Sequence, residues 1–255
     1  MTSAADSPFQ DLYLLTLARH IRDDDIVHVG GGQADVRAAA EVARLLWAPA
    51  VRMIVFGTYF LGRARHPELM AERTYSRLAR SSYPVLNQTN VFDDLSRGRV
   101  AFPGGMQIDQ RGNGNLIGVL SGSGKYIRGP GSGGLTTLTS QTDRFFFAVA
   151  RHTPALFVPR VHRISVLGDP VARAAMGLPC PGLHEVVTPL ASFRPSAEGL
   201  RLVSVSPGVS AADAQRGTGF PVDLDPAFAE RVAPSSEEQA ALRHVRAMMK
   251  RKESA

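Results

Sequence analysis

The stretch that decides the fold is residues 26–56, which read IVHVGGGQADVRAAAEVARLLWAPAVRMIVF. The apolar run Ile26 to Val29 predicts a short strand, and the three glycines that follow predict a sharp turn. Residues 34–47 predict a helix, and Val51 to Phe56 predicts a second strand. Two strands joined through a helix form a βαβ crossover, which favours parallel pairing. We therefore expect an α/β fold with an open, mostly parallel sheet flanked by helices.

The segments on either side extend this pattern. Ser7 and Pro8 predict the start of an amphipathic helix that continues to Ile21, and Ser235 or Ser236 predicts the cap of a final helix through Met249. The glycine-rich middle, residues 57–140, predicts functional loops around short apolar pieces. Further strands are predicted at 145–150, 155–158, 161–167 and 201–205, with a proline-rich connection around 177–189.

Length and composition are those of a soluble globular protein with one domain. At 255 residues with 44% hydrophobic content, residues 1–255 are expected to form one domain. The longest apolar runs are too short to cross a bilayer, and the N-terminus lacks a secretion-signal pattern, so we expect a cytoplasmic protein with no membrane contact. The lone cysteine, Cys180, lies between two prolines and is expected in a loop rather than as a nucleophile.

The charge is positive and is carried mainly by arginine. The formal net charge is +6, and only Lys125, Lys250 and Lys252 are lysines among 29 basic residues. The planar fork of arginine suits phosphate and carboxylate groups. The arginines are scattered and no nucleic-acid-binding module is present, so we expect no nucleic-acid partner. A polyanionic compound such as coenzyme A fits the charge equally well.

Several common active-site motifs are absent. Gly122 to Lys125 resembles the end of a P-loop, but Val119 and Tyr126 stand where that motif requires glycine and Ser or Thr. There is no Gly-x-Ser-x-Gly elbow and no H-E-x-x-H pair, so we predict neither an α/β-type serine hydrolase nor a metal site. The glycine turn at 30–32 can bind a phosphate at a helix start or simply allow a tight turn, and the incomplete dinucleotide fingerprint favours the turn.

Two loops carry stronger functional signals. The first, here called the amide loop, spans residues 107–115 and reads QIDQRGNGN. It either places polar side chains over a cleft or is an ordinary turn rich in Asn and Gly. The second, the glycine loop, spans residues 129–134 and reads GPGSGG. Its backbone N–H groups can form an oxyanion hole, or the loop can be a flexible turn.

These two loops, followed by Ser206-Pro207-Gly208-Val209 and Thr218-Gly219-Phe220, resemble the β-subunits of class I CoA-transferases. The resemblance extends to the glutaconate branch and to related ring-opening hydrolases of steroid catabolism. It implies a CoA-transferase-like fold, an α-like partner subunit in an α2β2 heterotetramer, and an acyl-CoA thioester as substrate with no permanently bound cofactor. It also implies that the N–H groups of Gly133 and Gly134 are oxyanion donors. The substrate-binding residues that it implies are Gln107, Asp109, Asn113 and Asn115.

The resemblance also marks a missing residue. In such transferases a glutamate after a buried strand attacks the thioester. Matching on Gly57 puts Thr58 at that position, and no acidic residue occurs between Met53 and Pro67. Glu68 and Glu72 follow in a predicted helix and are not expected to replace it.

Three functions remain open at the level of sequence. The first is an enzyme that hydrolyses, cleaves at a C–C bond or rearranges an acyl-CoA, with a base from the partner. The second is a true CoA-transferase whose carboxylate comes from elsewhere. The third is a non-catalytic scaffold subunit. The retained loops favour the first.

Overall fold

The computed structural model describes residues 8–30, 33–55, 58–60, 99–178 and 182–250. The chain divides into two compact units, of which the first comprises Met1–Phe102 and Ala233–Ala255 and the second Pro103–Val232. The single-domain expectation stays a prediction. The predictions for Ser7, for the helix carrying Glu68 and Glu72, and for Cys180 lie outside the described residues.

Six helices and fourteen strands are numbered in chain order within the described residues. The helices are α1 Pro8–Arg19, α2 Ala34–Leu46, α3 Leu135–Gln141, α4 Pro170–Ala175, α5 Ala211–Arg216 and α6 Ser236–Lys250. The strands are β1 Ile26–Val29, β2 Arg52–Val55, β3 Thr58–Phe60, β4 Arg99–Ala101, β5 Gln107–Asp109, β6 Gly114–Asn115, β7 Gly118–Leu120, β8 Tyr126–Arg128, β9 Arg144–Ala148, β10 Phe157–Val158, β11 Leu183–Val187, β12 Ala191–Pro195, β13 Leu200–Val205 and β14 Asp223–Glu230.

The strands of the first unit confirm the predicted crossover. They are arranged in the order β4, β1, β2, β3, with β1 parallel to both β4 and β2 and with β3 antiparallel to β2. Every residue of β1 is buried, as expected for a strand inside a parallel sheet. Because β1 and β2 are parallel, their carboxyl ends lie at the same edge, where ligands bind in many open α/β sheets.

Three helices of the first unit pack together. Helix α2 contacts both α1 and α6, and its buried face includes Val36 and several alanines. The Arg19 side chain donates to the Glu238 carboxylate at 3.0 Å, a partly exposed pair worth on the order of 1 kcal/mol or less. Burial of the apolar helix faces therefore provides most of the stabilisation. Within the described residues no helix is long and apolar enough to cross a membrane.

The second unit contains a five-stranded sheet in the order β14, β13, β12, β11, β9. Strands β9 and β11 are parallel, as are β13 and β14, while β11, β12 and β13 form an antiparallel meander. Phe145 and Phe147 are buried, with their rings edge-on at 5.9 Å. A three-stranded sheet, β10-β5-β6, and the β7–β8 hairpin complete the unit. Among the described strands that include β1 and β9, four pairs are parallel and three are antiparallel, so the predicted α/β class with a mostly parallel sheet is confirmed.

Some local predictions were wrong. Residues 161–167 form no strand, and only Val166 makes an isolated bridge, to Gly114. Residues Leu135–Gln141 form helix α3 at the end of the segment 57–140, which was predicted to be functional loops around short apolar pieces. Strand β11 occupies part of the segment 177–189 that was interpreted as a proline-rich connection. Pro189 falls beyond the end of this strand, where no ladder hydrogen bond is lost.

Candidate active site

The amide loop runs from β5 through a tight turn into β6, and Asp109 organises that turn. The Asp109 side chain is 3% exposed, and its Oδ1 accepts hydrogen bonds from the backbone N–H groups of Arg111 at 3.0 Å and Asn113 at 2.9 Å. The Asn113 side chain oxygen accepts from the N–H of Gly168 at 3.1 Å and of Asp169 at 3.2 Å. Short side chains that bond nearby backbone groups in this way fix turns.

The two remaining predicted substrate-binding residues, Gln107 and Asn115, face each other across β5 and β6. The Asn115 Nδ2 group donates to Gln107 Oε1 and to the carbonyl of Gly118, both at 2.9 Å, and its Oδ1 accepts from the N–H of Ile117 at 2.9 Å. Both residues are buried. The four predicted side chains are thus brought together, and their hydrogen bonds within the chain favour the turn-forming interpretation. Contact with a substrate stays a prediction.

The edge of the amide loop carries an ion pair that was not predicted. The Arg111 guanidinium donates to the Asp169 carboxylate in a bidentate manner, with distances of 2.9 and 3.0 Å. Asp169 also caps α4 by accepting from the N–H of Val171 at 3.0 Å. Partial burial raises the pKa of Asp169, but the Arg111 hydrogen bonds and the helix N–H groups outweigh it and lower that pKa overall. The capping carboxylate is therefore charged near neutral pH.

The glycine loop begins against the chain that follows the amide loop. The N–H of Gly129 donates to the carbonyl of Ile117 at 2.8 Å, and the N–H of Gly131 donates to the carbonyl of Leu116 at 3.0 Å. A Cβ atom on Gly129 would lie 2.1 Å from the Leu116 oxygen, so only glycine allows this approach. The structure therefore brings the two predicted loops together.

Gly133 and Gly134 lead directly into helix α3. Gly133 is exposed and has a φ of 47°, and Gly134 is the residue before the helix. Within the part of the chain that the structure describes, neither N–H group donates to a backbone carbonyl. Helix starts leave such N–H groups without intrahelical partners. Both groups are available to a ligand oxygen, as the oxyanion prediction requires, and that role stays a prediction.

Thr58 and the turn after β1 belong to the first unit. Thr58 is the first residue of β3, and its backbone pairs with that of Val55 at the carboxyl end of β2. The N–H of Gly30 donates to Oε1 of Gln33 at 2.6 Å, and the Gln33 amide donates to the carbonyl of Phe102. The Gly30 N–H is therefore used within the chain, which favours the tight-turn interpretation over phosphate binding.

The two later motifs, at 206–209 and 218–220, contribute to one largely buried polar cluster, here called the His152 cluster. It consists of His152, Thr188, Ser206, Thr218 and Arg231. His152 Nδ1 lies 3.0 Å from the Thr188 hydroxyl, and its Nε2 lies 3.2 Å from the Thr218 hydroxyl. The Arg231 guanidinium donates to the Thr188 carbonyl at 2.9 Å and to the Ser206 hydroxyl at 3.3 Å. These contacts join α5 and the ends of several strands.

Two curated proteins are similar to the chain over most of its length. The B subunit of 3-oxoadipate CoA-transferase from Pseudomonas knackmussii is 25% identical over 245 residues, covering 93% of this chain and 92% of the relative. The B subunit of glutaconate CoA-transferase from Acidaminococcus fermentans is 24% identical, covering 86% and 85%. The solved glutaconate enzyme superposes with a TM-score of 0.77 over 96% of this chain and 98% of that chain, at 21% identity. The chain has a CoA-transferase fold. No family model matches it.

A protein with a different activity shares this CoA-transferase fold. A solved variant of the decarboxylase AibA/AibB superposes with a TM-score of 0.78 at 26% identity, covering 94% of this chain and 95% of that chain. The CoA-transferase fold therefore carries more than one reaction among the proteins that this chain resembles, and the reaction must be argued from the site.

Two residues near the loops were missed by sequence reasoning. Asp169 followed by Pro170 is a helix-start signature that predicts α4, although it does not reveal the pair with Arg111. Ser165 accepts from the N–H of Leu116 across 49 residues of sequence. A contact of that separation leaves no local signal. In this CoA-transferase fold, residues 165–169 return to the amide loop and hold it closed.

Proposed function

We propose that the chain is the β-type subunit of a heteromeric enzyme that hydrolyses, cleaves at a C–C bond or rearranges an acyl-CoA thioester. The observation that carries the proposal is the absence of Asp and Glu between Met53 and Pro67 in a chain with a CoA-transferase fold. The decarboxylase AibA/AibB, 26% identical, supports C–C cleavage, because decarboxylation breaks a C–C bond.

The chemistry of CoA transfer explains why the missing carboxylate matters. A carboxylate can attack a thioester and then leave again from the resulting anhydride, which a hydroxyl cannot do comparably. Matching on Gly57 assigns to Thr58 the position expected for that carboxylate, and Thr58 is the first residue of β3. An ester on a threonine hydroxyl would be a much poorer acyl donor than an anhydride. Thr58 is therefore proposed to mark the altered reaction rather than to act as a transfer nucleophile.

The glycine loop is proposed to carry the catalytic function that this chain retains. The N–H groups of Gly133 and Gly134 are proposed to stabilise negative charge on the thioester oxygen, a contribution that needs no glutamate. The amide-loop residues are proposed to support the bound acyl group, and an α-like partner in a cytoplasmic α2β2 assembly is proposed to supply the base. The curated relatives are named as B subunits, which supports the need for a second kind of chain.

The test uses the complex of this chain with its copurified partner. It is incubated with acetyl-CoA, glutaconyl-CoA and 3-oxoadipyl-CoA without any free carboxylic acid, and products are identified by mass spectrometry. Thioester loss, decarboxylation or rearrangement in the absence of an acceptor is the expected result. Turnover that occurs only when a free acid is added, with CoA passed to that acid, would contradict the proposal.

CoA transfer is the second candidate, because both curated relatives are CoA-transferases. It requires a carboxylate from the partner and an enzyme-bound thioester intermediate. Borohydride or hydroxylamine would then inactivate the complex only after incubation with acyl-CoA, since both reagents react with that intermediate. Equal activity with and without these reagents would count against transfer.

A further inference from the structure

Ser165 lies at the junction of the amide loop and the glycine loop. The residue is 6% exposed, and its hydroxyl accepts from the N–H of Leu116 at 2.9 Å and donates to the carbonyl of Gly114 at 3.2 Å. The adjacent residue, Val166, forms the isolated antiparallel bridge with Gly114. The position of Ser165 relative to the end of the amide loop is thus fixed by both side chain and backbone.

Leu116 connects Ser165 to the beginning of the glycine loop. Its N–H is held by the Ser165 hydroxyl, and its carbonyl accepts from the N–H of Gly131 at 3.0 Å. Beside it, Gly129 packs so closely on the Leu116 oxygen that a Cβ atom would lie at 2.1 Å. A displacement of Leu116 therefore moves the start of the glycine loop with it.

Thr136 connects Ser165 to the end of the same loop. Thr136 is the second residue of α3 and follows Gly134 by two positions. Its hydroxyl donates to the backbone carbonyl of Ser165 at 3.2 Å. Ser165 is therefore in contact with the elements that hold both ends of the glycine loop, one through its side chain and one through its main chain.

We propose that Ser165 is a positioning residue that holds the glycine loop at both ends and so fixes the N–H groups of Gly133 and Gly134. Its catalytic meaning rests on the proposed function of that loop. Donors that stabilise an oxyanion act best when they are already in place, because reorganisation during the reaction opposes the stabilisation. Ser165 itself contacts no reacting atom in this proposal.

The Thr136→Val variant tests the connection at the C-terminal end of the glycine loop, and Thr137→Val is the matched control. The two threonines are neighbours in the same exposed stretch of α3, so the substitutions have the same effect on helix propensity. Hydrogen–deuterium exchange is measured on the purified chain. The N–H groups of Gly131 and Leu135 donate to the carbonyls of Leu116 and Ser132. Their exchange is expected to be about tenfold faster in Thr136→Val, the effect of losing one hydrogen bond, and unchanged in Thr137→Val. Equal exchange in both variants overturns the proposal.

The Ser165→Ala variant tests the connection at the N-terminal end of the glycine loop, and Ser206→Ala is its control. Ser206 is also buried, and its hydroxyl donates to Pro189 rather than to either loop. Faster exchange at the N–H groups of Gly129, Gly131 and Leu135 is expected for Ser165→Ala and not for Ser206→Ala. In the complex with acyl-CoA, Ser165→Ala and Thr136→Val should lower kcat by about tenfold with little change in KM.

Hydrogen–deuterium exchange and kcat together test the positioning role of Ser165 separately from the proposed function. If the unmodified complex consumes no thioester, the proposed function fails, while the exchange data still decide whether Ser165 holds the loop. If exchange increases as expected but kcat in an active complex stays unchanged, the positioning role is wrong. A rise in KM at constant kcat would equally overturn it, because a change in oxyanion stabilisation acts on the transition state.

Discussion

His152 is a half-buried residue whose ring nitrogens both face polar groups of the second unit. Nδ1 faces the Thr188 hydroxyl, and Nε2 lies 3.0 Å from the carbonyl of Ala214. Burial lowers the pKa of His152, the hydrogen bond to Ala214 opposes this, and the positive charge of Arg231 lowers it further. The ring is thus neutral in the folded protein at neutral pH, with Nε2 carrying the proton donated to the carbonyl.

The lowered pKa of His152 predicts a loss of stability in mild acid. In the unfolded chain a histidine takes up a proton below about pH 6.5. In the folded chain His152 stays neutral until the pH falls to its lower folded-state pKa, so stability decreases across that interval. The urea midpoint should therefore fall more between pH 7.5 and 5.5 in the unmodified protein than in His152→Gln. Parallel pH dependence in the two proteins would show that His152 does not contribute.

Substitution of Asn115, which was first interpreted as a substrate-binding residue, is expected to lower the stability of the protein strongly. The side chain is 0% exposed and makes several hydrogen bonds. Asn115→Ala leaves those buried partners unsatisfied and should lower the free energy of unfolding by about 2–4 kcal/mol. Urea denaturation measures the change, with the exposed Gln110→Ala as a control expected to stay within about 0.5 kcal/mol. A cost for Asn115→Ala as small as that of the control would restore the interpretation of Asn115 as primarily a ligand-binding residue.

Substitutions of Gly134 test whether its single N–H group is an oxyanion donor, as proposed. Its φ of −87° is close to the range that proline adopts. Gly134→Pro removes the N–H, whereas Gly134→Ala keeps it. In the active complex, Gly134→Pro should lower kcat by about 10²–10³-fold relative to Gly134→Ala. Activity of the proline variant within a few-fold of the alanine variant would instead support a scaffold role for this chain.

At the scale of elements, α4 depends on Asp169 for both its cap and its connection to the amide loop. Asp169→Ala removes the cap and the Arg111 pair together, and should cost about 2 kcal/mol of stability. Asp169→Asn can still accept from the helix N–H groups and should cost less than half as much. Urea unfolding at pH 7 compares the two variants. Equal losses would mean that the charge on Asp169, not the cap, provides the stabilisation.

The elements that could be predicted from sequence are those with strong local signals. The periodic apolar residues of α2 and the buried run of β1 predicted both elements to within a residue or two. Residues 161–167 look like a strand by composition, yet they return along the amide loop and only Val166 pairs. Helix α3 was missed because its threonines and serine resemble a polar loop.

At the scale of the whole molecule, the α/β class was predictable because a parallel crossover leaves a clear pattern of strand, helix and strand. The candidate site was predictable only as two loops. The arrangement of the loops also depends on hydrogen bonds between residues far apart in sequence, such as Asn113 with Gly168 and Leu116 with Ser165. Single-sequence patterns report local propensity and cannot reveal such pairs. The positions of the loops were therefore predicted, while the residues that join them were not.

The absence of Asp and Glu from the stretch that follows β2, up to Pro67, leads to a prediction about subunit assembly. Carbonyl polarisation by the glycine loop needs a base or nucleophile to complete the reaction, and the proposed source is a second chain. Affinity purification of this 27.4 kDa chain from its own cells should recover an α-like subunit in equal amount, and native mass spectrometry should give the mass of an α2β2 assembly. Each chain alone should consume no acyl-CoA, and mixing them should restore turnover. Full thioester consumption by this chain alone would contradict both the partner and the division of catalytic groups between two subunits.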